Sequence, residues 1–385
     1  MSGMAFPTSA RVVIVGGGVI GVSIAYHLAR VGVRDVVLLE RDSLGAGSTS
    51  RAAGGIRAQF SDPLNISIAL RSMAAYRRFA ADFGQEIDLH TTGYLFLLSR
   101  PEDVAAFERS VALQNEFGVP SRMIDPVAAQ RLSPLIEIDG LLAASYSPDD
   151  GHCTPESVVL GYATAARRLG ARLITRCEVT GIRVADGEIR AVDTNRGTLV
   201  ASTVICAAGA WSATIGDMVG VRLPVVPYRR QLAFTDRIDP DVPVPMTLDF
   251  SSALYFRREG RGLLVGLSDP DEQPSFQTRQ SGTWLAKTTE ALAARAPRLL
   301  DVGLAGGWAG LYEVTPDHNA LLGEAAGVGR FLYATGFSGH GFMQAPAVGE
   351  IVADLVRERP PFVDVHALHA ERFSGRQLCA ELNYV

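Results

Sequence analysis

The stretch RVVIVGGGVIGVSIAYHLARVGVRDVVLLE, residues 11–40, carries the argument for the fold. Residues 11–15 (RVVIV) read as a buried strand, Val19 to Val31 shows helical periodicity, and residues 36–40 (VVLLE) read as a second buried strand. Continuous apolar strands separated by a helix predict a parallel sheet covered on both faces. Between strand and helix, Gly16, Gly18 and Gly21 form G-x-G-x-x-G in the context that this motif requires. The first glycine permits a tight turn, the second lets a pyrophosphate approach the backbone, and the third allows close packing of helix on strand. The helix N-terminus then turns N–H groups, those of Val19 and Ile20 among them, and partial positive charge towards the phosphates. Glu40, 19 residues after Gly21 and followed by Arg41, is placed to accept hydrogen bonds from an adenosine ribose. A ribose-binding acid disfavours the 2′-phosphate of NADP. FAD and NAD share the fingerprint, so it does not separate them.

Three further segments favour a flavin. GAGSTSRAAGGIR, residues 45–57, is a loop of small residues and hydroxyls. Its backbone, from Arg51 through Ala52, Ala53, Gly54 and Gly55, can run close under a flat ring, while Ser48 and Thr49 reach phosphate or ribityl oxygens. VICAAGAWS, residues 204–212, is an apolar strand ending in a glycine turn, with Ala208, Gly209 and Trp211 at its exit. FLYAT then leads into GFSGHGFMQAPAVGE, residues 336–350. Its glycines, Gly339 and Gly341 included, let the backbone approach a ligand. The helix that follows would aim its positive end at the charge that a reduced flavin acquires.

Composition narrows the class. The 385 residues suit two domains, or three at most, and 47% hydrophobic with 20% charged residues is ordinary for a soluble globular protein. A formal net charge of −5 argues against nucleic-acid binding. Cys153, Cys177, Cys206 and Cys379 fit neither a metal motif nor a disulfide scaffold, so no metal site and a reducing, cytoplasmic setting are expected. The apolar run Val12–Leu28 is broken by four glycines and lacks a preceding charge cluster; neither a targeting segment nor a membrane span is expected.

Further along, residues 156–170 read as an amphipathic helix closed by Gly170. Residues 172–207 alternate strands and turns, with an Asp-Gly hairpin turn at 186–187. Residues 224–268 read as antiparallel sheet with strands near 228–235, 253–258 and 262–267. Helices are expected at 281–297 and 345–357, with a strand at 330–335. Dinucleotide-type segments thus recur at the start, middle and end. One nucleotide-binding domain is assembled from residues 1–85, 150–222 and 328–385, with a substrate domain inserted as 86–149 and 223–327.

GGGVIG, GSTSRAAGG, CAAGAWS, TPDHNALLG (315–323) and GFSGHGF together resemble the D-amino-acid oxidase family of FAD-dependent oxidoreductases. Within it the chain is most similar to the sarcosine oxidase, glycine oxidase and L-proline dehydrogenase β-subunit branch. The resemblance implies an α/β (α+β overall) fold: a Rossmann-like FAD-binding domain and a second domain built on a large mixed or antiparallel sheet. It implies FAD as cofactor, with Val179, Gly310, Phe342 and Met343 joining the contacts above. It further implies oxidation of a small amine or N-substituted amino acid by hydride transfer to flavin N5, giving an imine that hydrolyses. The alternative is a non-catalytic FAD-binding assembly or interaction subunit. A heteromeric or homo-oligomeric partner fits either reading.

The same resemblance selects Arg57, Tyr255 and His340 as substrate or flavin-pocket candidates. Arg57 can contact a carboxylate or the flavin. His340 reads as a flavin contact or structural residue before an acid–base catalyst, and His152 as a solvated loop residue. Arg229, Arg230, Arg257 and Arg258 are adjacent pairs on strands, so in each pair one side chain faces solvent and an inward one can hold a carboxylate. The chain also departs from its relatives. Gly310 stands where monomeric sarcosine oxidases attach FAD through cysteine, so the FAD is expected to be non-covalent. Pro155 stands near the histidine that carries a second flavin in the heterotetrameric branch. Ser268 stands near a pocket histidine. Oxygen, a quinone or an electron-transfer flavoprotein can serve as acceptor. Met343, where a lysine favours oxygen in the oxidases, tilts the choice away from oxygen.

Overall fold

The computed structural model describes residues 6–238, 242, 244–374, 378 and 380–384. Cys379 lies outside them, and the other three cysteines are buried free thiols. Two eight-stranded sheets organise the described chain. The first has the order Leu321–Glu324, Phe331–Thr335, Gly197–Cys206, Ser9–Val15, Val36–Leu39, Arg172–Ile174. Its central pairings are parallel, as the continuous apolar strands require, and Leu321–Glu324 pairs antiparallel with its neighbour at one edge. A hairpin, Val179–Ala185 with Glu188–Thr194, extends from Gly197–Cys206. It turns through Asp186 and Gly187, both with positive φ, the conformation expected of a two-residue Asp-Gly turn.

Leu321–Glu324 lies within the segment 223–327 expected for a substrate domain, and it pairs into the first sheet. It adds an antiparallel edge to that sheet through a tight return to Phe331–Thr335.

Helices Val19–Arg30, Pro155–Arg168, Gly341–Val356 and Pro63–Arg77 share one continuous core with a face of this sheet. Val19–Arg30 approaches Gly341–Val356 so closely that a Cβ on Gly349 would meet Ser23 Oγ and His27 Nδ1. Gly341–Val356 starts four residues before the expected 345, with Pro346 inside it. A proline there removes the N–H that would bond the carbonyl of Phe342. The Tyr76 hydroxyl donates to that carbonyl instead, at 2.5 Å. A tertiary contact thus replaces the missing helical bond.

The second sheet has the order Leu304–Val314, Val226–Thr235, Gly262–Leu267, Leu254–Glu259, Met246–Asp249, Tyr94–Leu98, Ala143–Ser147, Arg122–Ile124. It is antiparallel except where Met246–Asp249 meets Tyr94–Leu98. Helix Gly282–Arg295, capped by Ser281, packs on it, and the Trp284 indole donates to the Leu267 carbonyl at 3.0 Å. Among the described residues no helix is long and apolar enough to cross a membrane, and no cluster of His, Cys, Asp and Glu could hold a metal.

Gly21 shows how little room the fingerprint leaves: a Cβ there would strike the carbonyl oxygen of Gly16. Overpacking of this kind costs about 1–3 kcal/mol. Gly21→Ala should lower the urea-unfolding free energy by that amount in apoprotein and FAD-loaded protein alike. A loss confined to FAD affinity would show that Gly21 meets the ligand rather than the strand.

Candidate cofactor and substrate site

A cavity of about 470 Å³ opens at the ends of Ser9–Val15, Val36–Leu39 and Gly197–Cys206. Its walls are formed by Gly16, Gly18, Val19, Ile20, Glu40, Arg41, Ser48, Thr49, Arg51, Ala52, Val179, Ala208, Gly209, Trp211, Gly310, Gly339, Gly341 and Phe342. These come from all three pieces of the first sheet and from the outer strand of the second. A neighbouring pocket of about 90 Å³ is lined by Ala53, Gly54, Gly55, Arg57, Tyr255, His340 and Met343, and shares Arg51, Ala52, Gly339 and Phe342 with the first. Of the residues singled out from sequence as site residues, Gly21 alone lines neither, in keeping with its packing position.

The nucleotide end is built by close approach. Gly16 has φ of 113°, and a Cβ there would meet the Ala207 carbonyl oxygen. Thr49 Oγ1 accepts from the Val19 amide at 3.1 Å, tying the small-residue loop to the first turn of the helix. Glu40 accepts from the amides of Gly17 at 2.7 Å and Asp42 at 2.8 Å, so its carboxylate holds the turn as well as facing the cavity. The Arg41 guanidinium lies 3.8 Å from the Trp211 ring centroid, and Trp211 stacks with Phe276 at 5.4 Å. Phe276, from the second-sheet half of the chain, has no sequence signal beyond being an isolated aromatic in a polar loop. Glu313 also lines the cavity. It accepts from Thr335 Oγ1 at 3.1 Å, and burial pushes its pKa up to about 7.

The smaller pocket joins residues that lie far apart in sequence. Tyr94, Tyr255 and Tyr312 face it with Arg230, Leu232, Met246 and Leu248. Gly266, opposite Tyr255 on the next strand, leaves the space that the tyrosine ring occupies. Burial raises the pKa of all three tyrosines. Arg57 is buried: its Nη2 donates to the Asn383 carbonyl at 2.6 Å and to His340 Nε2 at 3.1 Å, and its Nη1 donates to the Gln59 carbonyl. An arginine offers no acceptor, so this contact engages the Nε2 lone pair and leaves the ring proton on Nδ1. Burial, reinforced by the Arg57 charge, holds the His340 pKa well below its ordinary value. Asp150 stands behind this group. It accepts from the Ala58 amide at 3.0 Å and Gln59 Nε2 at 3.2 Å, and burial raises its pKa to about 7.

Several expectations are corrected here. Arg230 lines both cavities, but Arg229 does not face open solvent; it is ion-paired with Glu272 at 3.0 Å. Of the second pair, Arg257 is the inward member, as expected: it is buried, donates to the Ala53 carbonyl at 2.8 Å and pairs with Glu259. His152 is buried rather than solvated, because Gly151–His152 pairs with Gly55–Ile56; burial lowers its pKa to about 3. Tyr94 and Tyr312 carry no distinguishing sequence signal of the same strength. YLFLL reads simply as a buried strand, and Tyr312 could have been found only by its place just before the TPD segment.

A family model described as DAO, FAD dependent oxidoreductase, matches residues 11–355. The chain belongs to this family. Dimethylglycine dehydrogenase, mitochondrial, of Rattus norvegicus is 32% identical over 94% of this chain and 45% of its own length. Sarcosine dehydrogenase, mitochondrial, of Homo sapiens is 30% identical over 95% of this chain and 42% of its own length. The chain therefore spans less than half the length of these relatives. The crystal structure of L-proline dehydrogenase from P. horikoshii superposes with a TM-score of 0.91 at 34% identity, over 97% of this chain and 100% of that one. The DAO family is FAD dependent, and the residues present fit that group. The turn at 16–18 has no side chains, a Cβ on Gly17 would crowd Leu44 and Glu40 at 2.7–2.8 Å, and the cavity continues from Glu40 to Gly310 and Gly339.

Glu40→Ala should weaken FAD binding about ten- to hundredfold, since hydrogen bonds to a charged group contribute about 1.5–3 kcal/mol. Fluorescence titration of the apoprotein measures this. An unchanged affinity would mean that Glu40 neither reads the ribose nor holds the turn in its binding shape.

Proposed function

We propose that this chain holds FAD non-covalently in the larger cavity and oxidises a small N-substituted α-amino acid in the smaller one. The observation that carries this reading is Arg230. It borders both cavities, and its buried Nε has no hydrogen-bond partner among the described residues. Its Nη1 and Nη2 donate to the Arg229 carbonyl at 3.1 Å and the Tyr384 hydroxyl at 3.3 Å, so among the described residues the guanidinium has no carboxylate partner and suits one from a ligand. Arg57 lines the same pocket but already donates to two carbonyls and His340, so the carboxylate is assigned to Arg230 and the positioning of His340 to Arg57. A pocket of about 90 Å³, smaller than the apolar cavity of about 150 Å³ that takes benzene, admits only a small molecule. Dimethylglycine, sarcosine and proline, in the names of the similar proteins, share that size, a carboxylate and a substituted nitrogen.

When bound, FAD supplies the two-electron acceptor for the hydride leaving the carbon beside nitrogen. The chain's own contribution is placement. Arg230 fixes one end of the substrate, while Leu232, Met246 and Leu248 exclude water from the other. Tyr94, Tyr255 and Tyr312 offer neutral hydroxyls, since their pKa values are raised. His340 is neutral with Nε2 engaged, so it does not take the amine proton. The substrate must therefore react as its neutral amine, and water hydrolyses the released imine outside the pocket. Met343 is buried against this pocket and brings no charge, which favours a quinone, dye or electron-transfer flavoprotein over oxygen.

Anaerobic mixing with a panel of N-methylated amino acids and neutral amines tests the reading. The flavin should bleach with the amino acids, and a dye should reoxidise it faster than air. Failure of every amine to bleach it would leave a non-catalytic FAD protein. Arg230→Met should raise KM for the amino acid ten- to hundredfold, with a far smaller change for a neutral amine.

The pH profile follows from the same groups. Below the substrate amine's pKa, kcat/KM should rise about tenfold per pH unit, and the inflection should move when a substrate of different amine pKa is used. An inflection fixed near 7 for both substrates would instead assign the titration to Glu313 or Asp150, whose pKa values lie there.

A further inference from the structure

The segment 381–384 reaches into the group just described from the far end of the sequence. Its anchor is Glu381, whose buried carboxylate accepts from the Ser61 amide at 2.9 Å, Ser61 Oγ at 2.8 Å and Asn65 Nδ2 at 3.1 Å. The Glu381 amide donates to the Asp317 carbonyl at 3.0 Å, and Asp317 is itself held by Arg372 at 2.7 Å. From this anchor the chain runs to Asn383, whose carbonyl takes a hydrogen bond from Arg57, and to Tyr384. The Tyr384 ring lies flat on His318, with centroids 3.8 Å apart and planes 6° apart, and its edge is set against His340 at 6.2 Å. Its hydroxyl accepts from Arg230 Nη2 at 3.3 Å.

We infer that Tyr384 is a specificity-determining residue: its hydroxyl donates to the substrate carboxylate held by Arg230. This rests on the assignment of the carboxylate to Arg230. A phenol that accepts from a guanidinium still has its own proton to give. An anion seated on Arg230 would share that guanidinium with the Tyr384 hydroxyl, and donation to an anion is stronger than donation to a neutral group. The stack on His318 holds the hydroxyl in place before the substrate arrives, so little freedom is lost when the bond forms. A neutral amide in place of the carboxylate gains less from both groups. Tyr384 thus sharpens the choice for an acid over its neutral isostere.

Propionate and propionamide are the probes, titrated calorimetrically into FAD-loaded protein. Tyr384→Phe keeps the ring on His318 and removes only the hydroxyl. It should weaken propionate about tenfold and leave propionamide unchanged. KM for the amino-acid substrate should rise by a similar factor, with kcat within twofold. Arg230→Met is the reference. If it weakens propionate while Tyr384→Phe leaves it equal or tighter, the role of Tyr384 is overturned and the carboxylate assignment stands. If Arg230→Met has no effect on propionate, the assignment falls and the inference with it. Equal weakening of propionate and propionamide by Tyr384→Phe would make the residue structural and overturn the inference as well.

Discussion

The approach of Gly16 to Ala207 is the constraint on which the rest of this molecule depends. The Ala207 carbonyl oxygen occupies the place a Gly16 side chain would take. Two adjacent parallel strands, Ser9–Val15 and Gly197–Cys206, can therefore end side by side with their following turns in contact. From that point one chain goes into the helix at Val19 and the other into the short turn at Gly209–Trp211. The crevice between diverging connections is where open α/β sheets place their ligands. Everything else lining the larger cavity is brought to this crevice. The loop at 45–55 is pinned by Thr49 to Val19, and the outer strand of the second sheet is laid over Arg51 at Gly310, where a Cβ would stand 2.7 Å from Arg51 Cβ.

The smaller pocket depends on a different constraint, the cost of burying a cation. A buried, unpaired guanidinium is destabilising by several kcal/mol, and the hydrogen bonds of Arg57 described above go to carbonyls and an imidazole rather than to a carboxylate. Each hydrogen bond from a charged donor recovers about 1.5–3 kcal/mol. Two carbonyls and an imidazole together are of the size needed, helped at longer range by Glu381 and Asp150, which both favour the charged form. The cage explains why Gln59, Asn383 and His340, from three separated stretches, are fixed relative to one another. It also sets the state of His340. The histidine accepts from a cation, and protonating it would turn that hydrogen bond into a repulsion.

The nucleotide half was legible in the sequence because its constraints are local. A glycine needed for positive φ or for close approach must stand at one position relative to the strand before it, and Gly16, Gly18 and Gly21 do. The Asp-Gly hairpin at 186–187 was legible for the same reason. Expectations failed where a distant contact replaced a local rule. Pro346 marks a first turn by local preference, yet Tyr76 satisfies the orphaned carbonyl and the helix begins at Gly341. His152 reads as a loop residue until a two-residue strand at Gly55 pairs with it. The smaller pocket was the least legible part. Tyr94, Arg230 and Tyr312 each alternate with packing residues on strands of one sheet, and nothing in a single strand says which face will meet a cofactor.

These two constraints together shape the chemistry. The smaller pocket is lined by cations and neutral hydroxyls but by no base able to work at neutral pH: the tyrosines are shifted up, His340 is shifted down with Nε2 engaged, and Asp150 and Glu313 are not among its lining residues. Such an environment favours one charge state of an amino acid, the carboxylate with a neutral amine, because the positive field of Arg57 and Arg230 opposes an ammonium group as it attracts the acid. On the function proposed above, deprotonation then accompanies binding and requires no residue dedicated to it. The same field favours negative charge accumulating in the adjoining cavity, where Glu313, with a pKa near 7, is the one lining acid raised by burial. Arg230, which borders both cavities, is the cation that the two have in common.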